Sequence, residues 1–106
     1  MNEVLYVLTN LPDAPSARKL GRTLVESRLV ACVSLLGGVE SVYRWKGNVE
    51  SASEVLVVIK TVASTYDHVQ SLILEHHPYE LPEIVAVPVV TGLSPYLQWV
   101  VAESSG

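Results

Sequence analysis

Residues 30–61 read VACVSLLGGVESVYRWKGNVESASEVLVVIKT, and this stretch decides the fold. Residues 30–36 are apolar and rich in β-branched side chains, which is typical of a buried strand. After Gly37-Gly38 the pattern alternates, so that Tyr43 and Trp45 fall on one face. We therefore predict one long strand that bends, with a bulge, at the two glycines, where the missing Cβ atoms permit it.

A hairpin follows directly from this long strand. Lys46-Gly47-Asn48 has turn chemistry, and the chain from Val49 onward leads into another apolar strand, residues 54–61. The tip of the hairpin is polar and is expected to project from the domain. Aromatic side chains on a projecting hairpin would be hydrophobic liabilities in water, so we expect Tyr43 and Trp45 to dock onto a neighbouring copy.

Upstream of the hairpin, a strand and a helix are predicted. Residues 3–8 form a short apolar run that ends in the turn Asn10-Leu11-Pro12-Asp13. Asp13 offers a carboxylate as N-cap, and Pro15 fits the first helical turn. Apolar residues then recur at helical spacing, which predicts a helix over residues 14–28.

Downstream, a second helix carries one apolar stripe and should end before Pro78, because proline restricts the residue in front of it. Residues 84–90 resemble a fourth strand, and Pro88 within it indicates a sheet edge or a bulge. Ser94-Pro95 opens a short terminal helix.

The predicted order is β-α-β-β-α-β followed by a short C-terminal helix. This order is typical of an α+β, ferredoxin-like fold: a split βαβ antiparallel sheet with a long β-hairpin and both main helices on one face. The 106 residues are too few for two ordinary domains. We predict a single domain over residues 1–106.

The composition favours self-association. The chain is 49% apolar but only 17% charged, against roughly 25% charged in an ordinary soluble domain. A domain of this size leaves a large part of its surface exposed, so apolar side chains must remain near the outside of one copy.

The charge pattern argues against a nucleic-acid partner. The net charge is −4, and the seven Lys and Arg residues form no basic run. No apolar run approaches the roughly 20 residues of a membrane span, and no export signal is seen at Met1-Asn2-Glu3. We therefore expect no membrane partner and a cytoplasmic location, which fits a single cysteine, Cys32.

The segment His76–Glu83, HHPYELPE, holds most candidate metal ligands. Its imidazoles and carboxylates suit a borderline divalent ion such as copper or zinc. In the alternative interpretation, His76 packs on its helix and His77 satisfies the last helical carbonyls. A Cys32 thiolate beside His77 would be a soft ligand, whereas a Cys32 without it would be a small buried hydrophobe. The sequence leaves both pairs of alternatives open.

Lys60 is the single positive charge in the apolar run of the third strand. Its side chain either reaches out to the sheet edge or lines a polar cleft, where it pairs with Glu83 or with an anionic ligand. The sequence contains no HExxH, CxxC or GxSxG motif. We expect no enzymatic activity.

Several blocks of the chain resemble the CutA divalent-cation tolerance family. They are Ala31-Cys32-Val33, Ser41-Val42-Tyr43-Arg44-Trp45-Lys46-Gly47, Ile59-Lys60-Thr61, His77-Pro78-Tyr79-Glu80 and Pro82-Glu83-Ile84. The resemblance implies a homotrimer whose subunits join sheet edges, with clefts at the subunit boundaries and a role in tolerance to copper and other divalent metals. Seven residues match the family's motif positions around that cleft: Cys32, Tyr43, Trp45, Lys60, His77, Tyr79 and Glu83.

The leading hypothesis is thus a trimeric metal-responsive protein in which Cys32, His77 and Glu83 bind a divalent ion, copper before others. Tyr43, Trp45 and Tyr79 would line the cleft, and Lys60 would balance its charge. A single cysteine excludes thiolate-rich coordination within one subunit.

Two alternatives remain. The first is a signalling module that binds a small anionic metabolite in the same clefts, where Lys60 and Arg44 would matter more than Cys32. The second is a structural trimer without any ligand.

Overall fold

The computed structural model describes residues 3–104; residues 1, 2, 105 and 106 of the predicted domain lie outside that range. The strands and helices follow one another in the predicted order. They are β1 (Val4–Leu11), α1 (Ala14–Glu26), β2 (Cys32–Trp45), β3 (Asn48–Val62), α2 (Tyr66–His76), β4 (Val85–Pro88) and α3 (Ser94–Glu103). A short 3-10 turn, Ala63–Thr65, leads into α2.

The four strands form one antiparallel sheet in the order β2-β3-β1-β4. The central strands β1 and β3 pair from Val4 opposite Val62 to Leu11 opposite Val55. This arrangement confirms the predicted ferredoxin-like α+β fold. Strand β4, which ends at Pro88, and strand β2 are the two edges of the sheet.

Helices α1 and α2 cover one face of the sheet. Their buried side chains, Leu20 and Leu24 from α1 and Ile73 from α2, pack in one core against Val57 and Ile59 of β3 and their neighbours. Because alternate residues of a strand point to opposite faces, this packing fixes which set of alternate residues in each strand faces the core.

The N-terminus of α1 is capped as predicted. The Asp13 carboxylate accepts a 2.8 Å hydrogen bond from the Ser16 backbone N–H, and this bond lowers the pKa of Asp13. The helix ends at Glu26, two residues before the predicted end. The reason is local: Arg28 takes a φ of 66°, in the left-handed region that a helix cannot continue through.

The hairpin β2-β3 is bent and closed as predicted. Its register shifts between Leu36 and Val39, and Gly38 there has a φ of 74°. Lys46 and Gly47 both have positive φ, 50° and 84°, as a two-residue hairpin turn requires.

All four strands differ in length from their predictions. β2 begins at Cys32 rather than at residue 30. β3 begins at Asn48, which was predicted to belong to the turn, because Asn48 already pairs with Trp45. β1 continues to Leu11, and β4 is limited to Val85–Pro88. Beyond the Leu11–Val55 pair, β1 ends, and the hairpin projects as a two-stranded ribbon.

Helix α3 packs at one end of the other sheet face. Val100 of α3 is fully buried with Val4 and Ala31, and Tyr6 packs against this small cluster. Much of the remaining face and the edges keeps large apolar side chains exposed. None of the helices within residues 3–104 combines the length and the apolar content that a membrane crossing needs.

Candidate functional site

A cleft of about 890 Å³ lies between the projecting hairpin and the segment that joins α2 to β4. We call it the acidic cleft, because four of its lining residues are glutamates and none is a lysine or an arginine. The lining residues are Asn10, Ser41, Val42, Tyr43, Trp45, Glu50, Ala52, Glu54, Pro78, Tyr79, Glu80, Leu81 and Glu83.

The segment after α2 forms one wall of the cleft, and His77 anchors this segment. The backbone N–H of Tyr79 donates to His77 Nδ1 at 3.2 Å, so the ring proton is on Nε2, which donates to the Asn10 carbonyl at 2.8 Å. Burial lowers the pKa of His77, against the smaller raising effects of the Asn10 bond and of Glu54. Both ring nitrogens are therefore engaged, and the neutral imidazole is favoured.

Tyr79 connects this wall to the hairpin. Its hydroxyl donates a 2.7 Å hydrogen bond to Glu54 Oε2, and the Glu54 side chain on β3 is only 9% exposed. Burial, followed by the bond to Glu54, raises the pKa of the Tyr79 phenol well above its ordinary value. The phenol thus remains a hydrogen-bond donor to a buried carboxylate across the cleft.

Asn10, near the end of β1, is hydrogen-bonded to both Glu83 and His77. Its Nδ2 donates to Glu83 Oε1 at 3.2 Å, and its carbonyl accepts the bond from His77. Its side-chain Oδ1 is buried and has no hydrogen-bond partner within residues 3–104. Asn10 therefore places Glu83 and His77 around one residue and presents an unused oxygen acceptor.

A second polar group lies across three strands. Cys32 of β2, Lys60 of β3 and Tyr6 of β1 are directly opposite one another in the sheet register. Lys60 Nζ donates to the Ser34 hydroxyl and lies 5.7 Å from the centre of the Tyr6 ring. Cys32 Sγ lies 3.8 Å from the hydroxyl of Tyr96 on α3. We call these five residues the Lys60 row.

The structure brings together some of the predicted site residues and separates others. Four of the predicted residues line the acidic cleft: Tyr43, Trp45, Tyr79 and Glu83. His77 does not line it but is hydrogen-bonded to the lining residues Asn10 and Tyr79.

Cys32 and Lys60 lie elsewhere. The Lys60 row is at Tyr6, four residues before Asn10 on β1, which corresponds to about 13 Å along a strand. Within one chain, Cys32 therefore does not join His77 and Glu83, and Lys60 contacts Ser34 and Tyr6 rather than Glu83. In the part of the chain that the structure describes, no three His, Cys, Asp or Glu side chains are grouped so that they could hold a metal ion.

Sequence reasoning missed Asn10, Glu54, Tyr6 and Tyr96. Asn10 was assigned to a turn, and its role depends on the extension of β1 to Leu11. A register of β1 against β3 would have placed Tyr6 opposite Lys60. No sequence signal places Tyr96, because its position depends on how α3 docks on the sheet.

The comparison with protein families gives one match over most of the chain. Residues 5–103 match the family model described as "CutA1 divalent ion tolerance protein". The chain is 45% identical over 89 residues to "Protein CutA" of Homo sapiens. It is also 40% identical over 99 residues to "Divalent-cation tolerance protein CutA" of Thermus thermophilus.

The coverage of these relatives differs. The match takes in 84% of this chain but 50% of the human protein, and 93% of this chain and 94% of the Thermus protein. The chain thus spans about half the length of the vertebrate relative.

Solved structures agree with the fold. The crystal structure of CutA from Xylella fastidiosa superposes with a TM-score of 0.93 at 41% identity, covering 96% of this chain and 98% of that one. CutA1 from Oryza sativa superposes with a TM-score of 0.93 at 31% identity, covering 96% and 94%.

Proposed function

Because this chain belongs to the CutA1 divalent ion tolerance protein family, we propose that it acts in tolerance to divalent cations as a non-enzymatic homotrimer. In this proposal a divalent metal ion, copper before others, binds at clefts between subunits. The premise is the family match over residues 5–103 and the relatives named for divalent-cation tolerance.

The acidic cleft is the observation that carries the metal part of the proposal. Glu50, Glu54, Glu80 and Glu83 line it without a compensating basic side chain. A concave surface that carries one sign of charge raises the local concentration of oppositely charged ions. The net charge of −4 of the whole chain acts in the same direction.

One chain does not complete a metal site by itself. Its described residues contain no group of three suitable donors. His77 could ligate through Nδ1 only after losing the bond from the Tyr79 N–H. Asn10 Oδ1 beside Glu83 is buried and has no hydrogen-bond partner within residues 3–104, and it could add one oxygen ligand.

The proposal therefore places the ion between copies. Cys32 of one subunit would approach the acidic cleft of the next, where Glu83 and His77 contribute the remaining donors. A set of thiolate, imidazole and carboxylate favours copper over magnesium or calcium, because the softer ligands bind the hard cations poorly.

Exposed apolar surface supports self-association. Among residues 3–104, no further strand pairs with the outer side of β2 or of β4, and every residue of β4 is exposed. The exposed large apolar side chains include Val42, Val49, Val87, Val90 and Leu93, and Val90 is 92% exposed. Edge strands and apolar patches of this kind are normally covered by a partner, and pairing of edges around a threefold axis would cover them.

Two measurements test the proposal. Sedimentation of the dilute protein should give a species of three copies; a folded single copy would contradict the trimer. Isothermal titration with Cu(II), with Mg(II) for comparison, should show saturable Cu(II) binding. We expect Glu83→Gln and His77→Ala each to weaken that binding by about tenfold or more, since each removes a charged or ligating donor.

A matched control separates the effect of a carboxylate in the cleft from the effect of the overall negative charge. Glu26→Gln removes a carboxylate at the exposed end of α1, outside the cleft, and should leave Cu(II) binding unchanged. Equal Cu(II) affinity in the wild type, Glu83→Gln and His77→Ala would contradict the assigned ligands. Absence of any saturable Cu(II) binding would contradict the metal part as a whole.

A further inference from the structure

A groove of about 400 Å³ lies between helix α1 and strand β2. We call it the α1 groove. Among residues 3–104, no aspartate or glutamate lines it, so its charge is opposite to that of the acidic cleft. Three basic and three apolar side chains line it: Arg18, Lys19, Arg22, Val25, Val33 and Leu35.

The α1 groove is on the helical face of the sheet. Val33 packs against the core beneath α1 and α2, and Leu35 follows it by two residues on β2. Because alternate residues of a strand point to opposite faces, Cys32 lies on the other face. Glu54 of the acidic cleft also lies on that other face, since it precedes the core residue Val55. The α1 groove is therefore separate from the acidic cleft and from the Lys60 row.

Gly21 lets α1 approach β2 closely at this groove. A Cβ added to Gly21 would lie 3.3 Å from Val33 Cγ1 and 3.9 Å from Leu35 Cδ2. A larger residue at this position would press on Val33. The missing side chain thus brings the apolar side chains of β2 next to the basic side chains of α1.

The basic side chains of the α1 groove have no counter-charge in the part of the chain that the structure describes. Arg18, Lys19 and Arg22 are exposed, and no carboxylate of residues 3–104 forms an ion pair with them. Arg22 follows Arg18 by four residues and Lys19 by three, so like charges are neighbours on the helix surface, which disfavours the helix. Helix stability therefore does not account for three of the seven Lys and Arg residues lying within residues 18–22.

Apolar side chains of the groove are open to solvent. Val25 is 42% exposed, and Leu35 is 39% exposed. Val25 follows Arg22 by three residues, so the two lie on the same side of α1. A ligand that covers these apolar side chains and also contacts the arginines needs an apolar body and an anionic group.

We propose that the α1 groove is a binding site for a small anionic amphiphile, a molecule with an aliphatic or aromatic body and a phosphate or carboxylate group. The body covers Val25, Val33 and Leu35. The oxygens of the anionic group accept hydrogen bonds from Arg18 and Arg22, because guanidinium groups match the geometry of oxyanions.

The size and the charge of the groove fit such a ligand. A volume of about 400 Å³ is within the range of pockets that hold small molecules, which combine an apolar lining with a few polar groups. The inference goes beyond the proposed function, since the α1 groove attracts anions and lies on the opposite face of the sheet from the acidic cleft.

Four probes test the two parts of the ligand separately. Hexyl phosphate and heptanoate carry both an apolar body and an anionic group, inorganic phosphate lacks the body, and hexylammonium has the opposite charge. Each probe is titrated into the wild-type protein without metal, at constant ionic strength, and the amide chemical shifts are followed by nuclear magnetic resonance.

We expect saturable shifts centred on residues 18–25 and 33–35 with at least one of the two amphiphiles. The comparison of hexyl phosphate with heptanoate distinguishes a phosphate from a carboxylate. Inorganic phosphate and hexylammonium should bind at least about tenfold more weakly, because the first buries no apolar surface and the second cannot accept from the arginines.

Three variants assign the binding to the basic side chains. The double variant Arg18→Gln, Arg22→Gln should weaken the binding of the amphiphile by about tenfold or more, since it removes two charged donors at exposed positions. Arg22→Lys keeps the charge and should weaken it less. Arg28→Gln is the control: it removes an exposed arginine just after α1, outside the groove, and should bind as the wild type does.

Four results would overturn the proposal. The first is the absence of saturable shifts with both amphiphiles, as expected if another copy of the chain fills the groove. The second is a set of shifts confined to residues outside the groove. The third is equal affinity in the wild type and in the double variant. The fourth is inorganic phosphate or hexylammonium binding as tightly as the amphiphiles. None of these results bears on Cu(II) binding at the acidic cleft, so the two proposals fail separately.

Discussion

The Tyr79 hydroxyl lies 2.7 Å from Glu54 Oε2 and donates to it, which ties the segment after α2 to the projecting hairpin. Both residues line the acidic cleft, and Glu54 is buried. A carboxylate in this position needs its donor, because the cost of removing it from water is offset only by hydrogen bonds or charge. This contact between residues 25 positions apart therefore joins two walls of the cleft, alongside the bonds of Asn10 to Glu83 and His77.

The first prediction concerns this contact. Tyr79→Phe keeps the ring but leaves the buried Glu54 carboxylate without its donor. We expect the free energy of unfolding to fall by about 1–3 kcal/mol, the usual cost of an unsatisfied buried group. Urea denaturation followed by circular dichroism measures it.

Tyr66→Phe is the matched control for this prediction. It removes a similar bond, from the Tyr66 hydroxyl to Gln70 Oε1 at 2.9 Å, which is exposed to solvent, while the ring keeps its packing against the core. We expect a change below about 0.5 kcal/mol, as for most surface substitutions. Equal losses of unfolding free energy in the two variants would show that the bond from Tyr79 to the buried Glu54 stabilises the fold no more than an exposed bond does.

The second prediction concerns stability against pH. The pKa of His77 is lowered by burial from the ordinary value of 6.5. As the pH falls below 6.5, the unfolded chain takes up a proton at His77 that the folded chain resists. The contribution of His77 to stability is therefore complete above pH 6.5 and is lost as the pH falls toward the lowered pKa.

Chemical denaturation between pH 7.5 and 5 measures this effect. The wild type should lose stability over this interval, and His77→Gln should lose less. His76→Gln is the control, since His76 is exposed at the end of α2, and it should follow the wild type. If all three proteins have parallel pH profiles, burial of His77 is not the cause.

The third prediction compares two adjacent glycines at the bend of β2. Gly38 has a φ of 74°, which L side chains rarely adopt, whereas Gly37 does not need a positive φ. No atom lies within 4 Å of a Cβ added at either position, so steric crowding is equal. Gly38→Ala should lower the free energy of unfolding by about 1 kcal/mol, and Gly37→Ala should leave it unchanged or raise it slightly.

Thermal unfolding of the two variants under identical conditions is sufficient to test this pair. The sign of the difference matters more than its size. A Gly37→Ala variant that is less stable than Gly38→Ala would contradict the assignment of backbone strain to residue 38.

The fourth prediction concerns association through the β4 edge. Val87 is 48% exposed, and it lies opposite Tyr6 in the sheet register. Val87→Lys places a charge on an edge that we propose to be covered by another copy. We expect a clear shift of the sedimenting species toward a single copy, with the helical signal retained, because charges on edge strands oppose pairing.

Leu74→Lys is the control for the edge variant. Leu74 is 51% exposed on α2, on the helical side of the sheet. It should sediment as the wild type does. Dissociation of both variants, or of neither, would contradict a specific role of the β4 edge.

The sequence by itself determined the order of the elements, the hairpin and the ends of several helices. These features depend on signals within a few residues. Gly38 and Gly47 adopt the positive φ that their turns need, and Asp13 caps α1 across three residues. The alternation of apolar residues in strands and their helical spacing in helices then assign the side chains that face the core. Short connections between successive elements favour the split βαβ order.

Only the tertiary structure decided which of the candidate residues meet. Cys32 and His77 both have ligand chemistry, yet Cys32 lies beside Tyr96, and His77 is bonded to Asn10. These contacts join residues 64 and 67 positions apart. The register of the strands and the path of the segment after α2 set them, and neither is encoded in a local pattern. For the same reason the contacts of Lys60 with Ser34 and Tyr6 become visible only when the three strands are aligned in register.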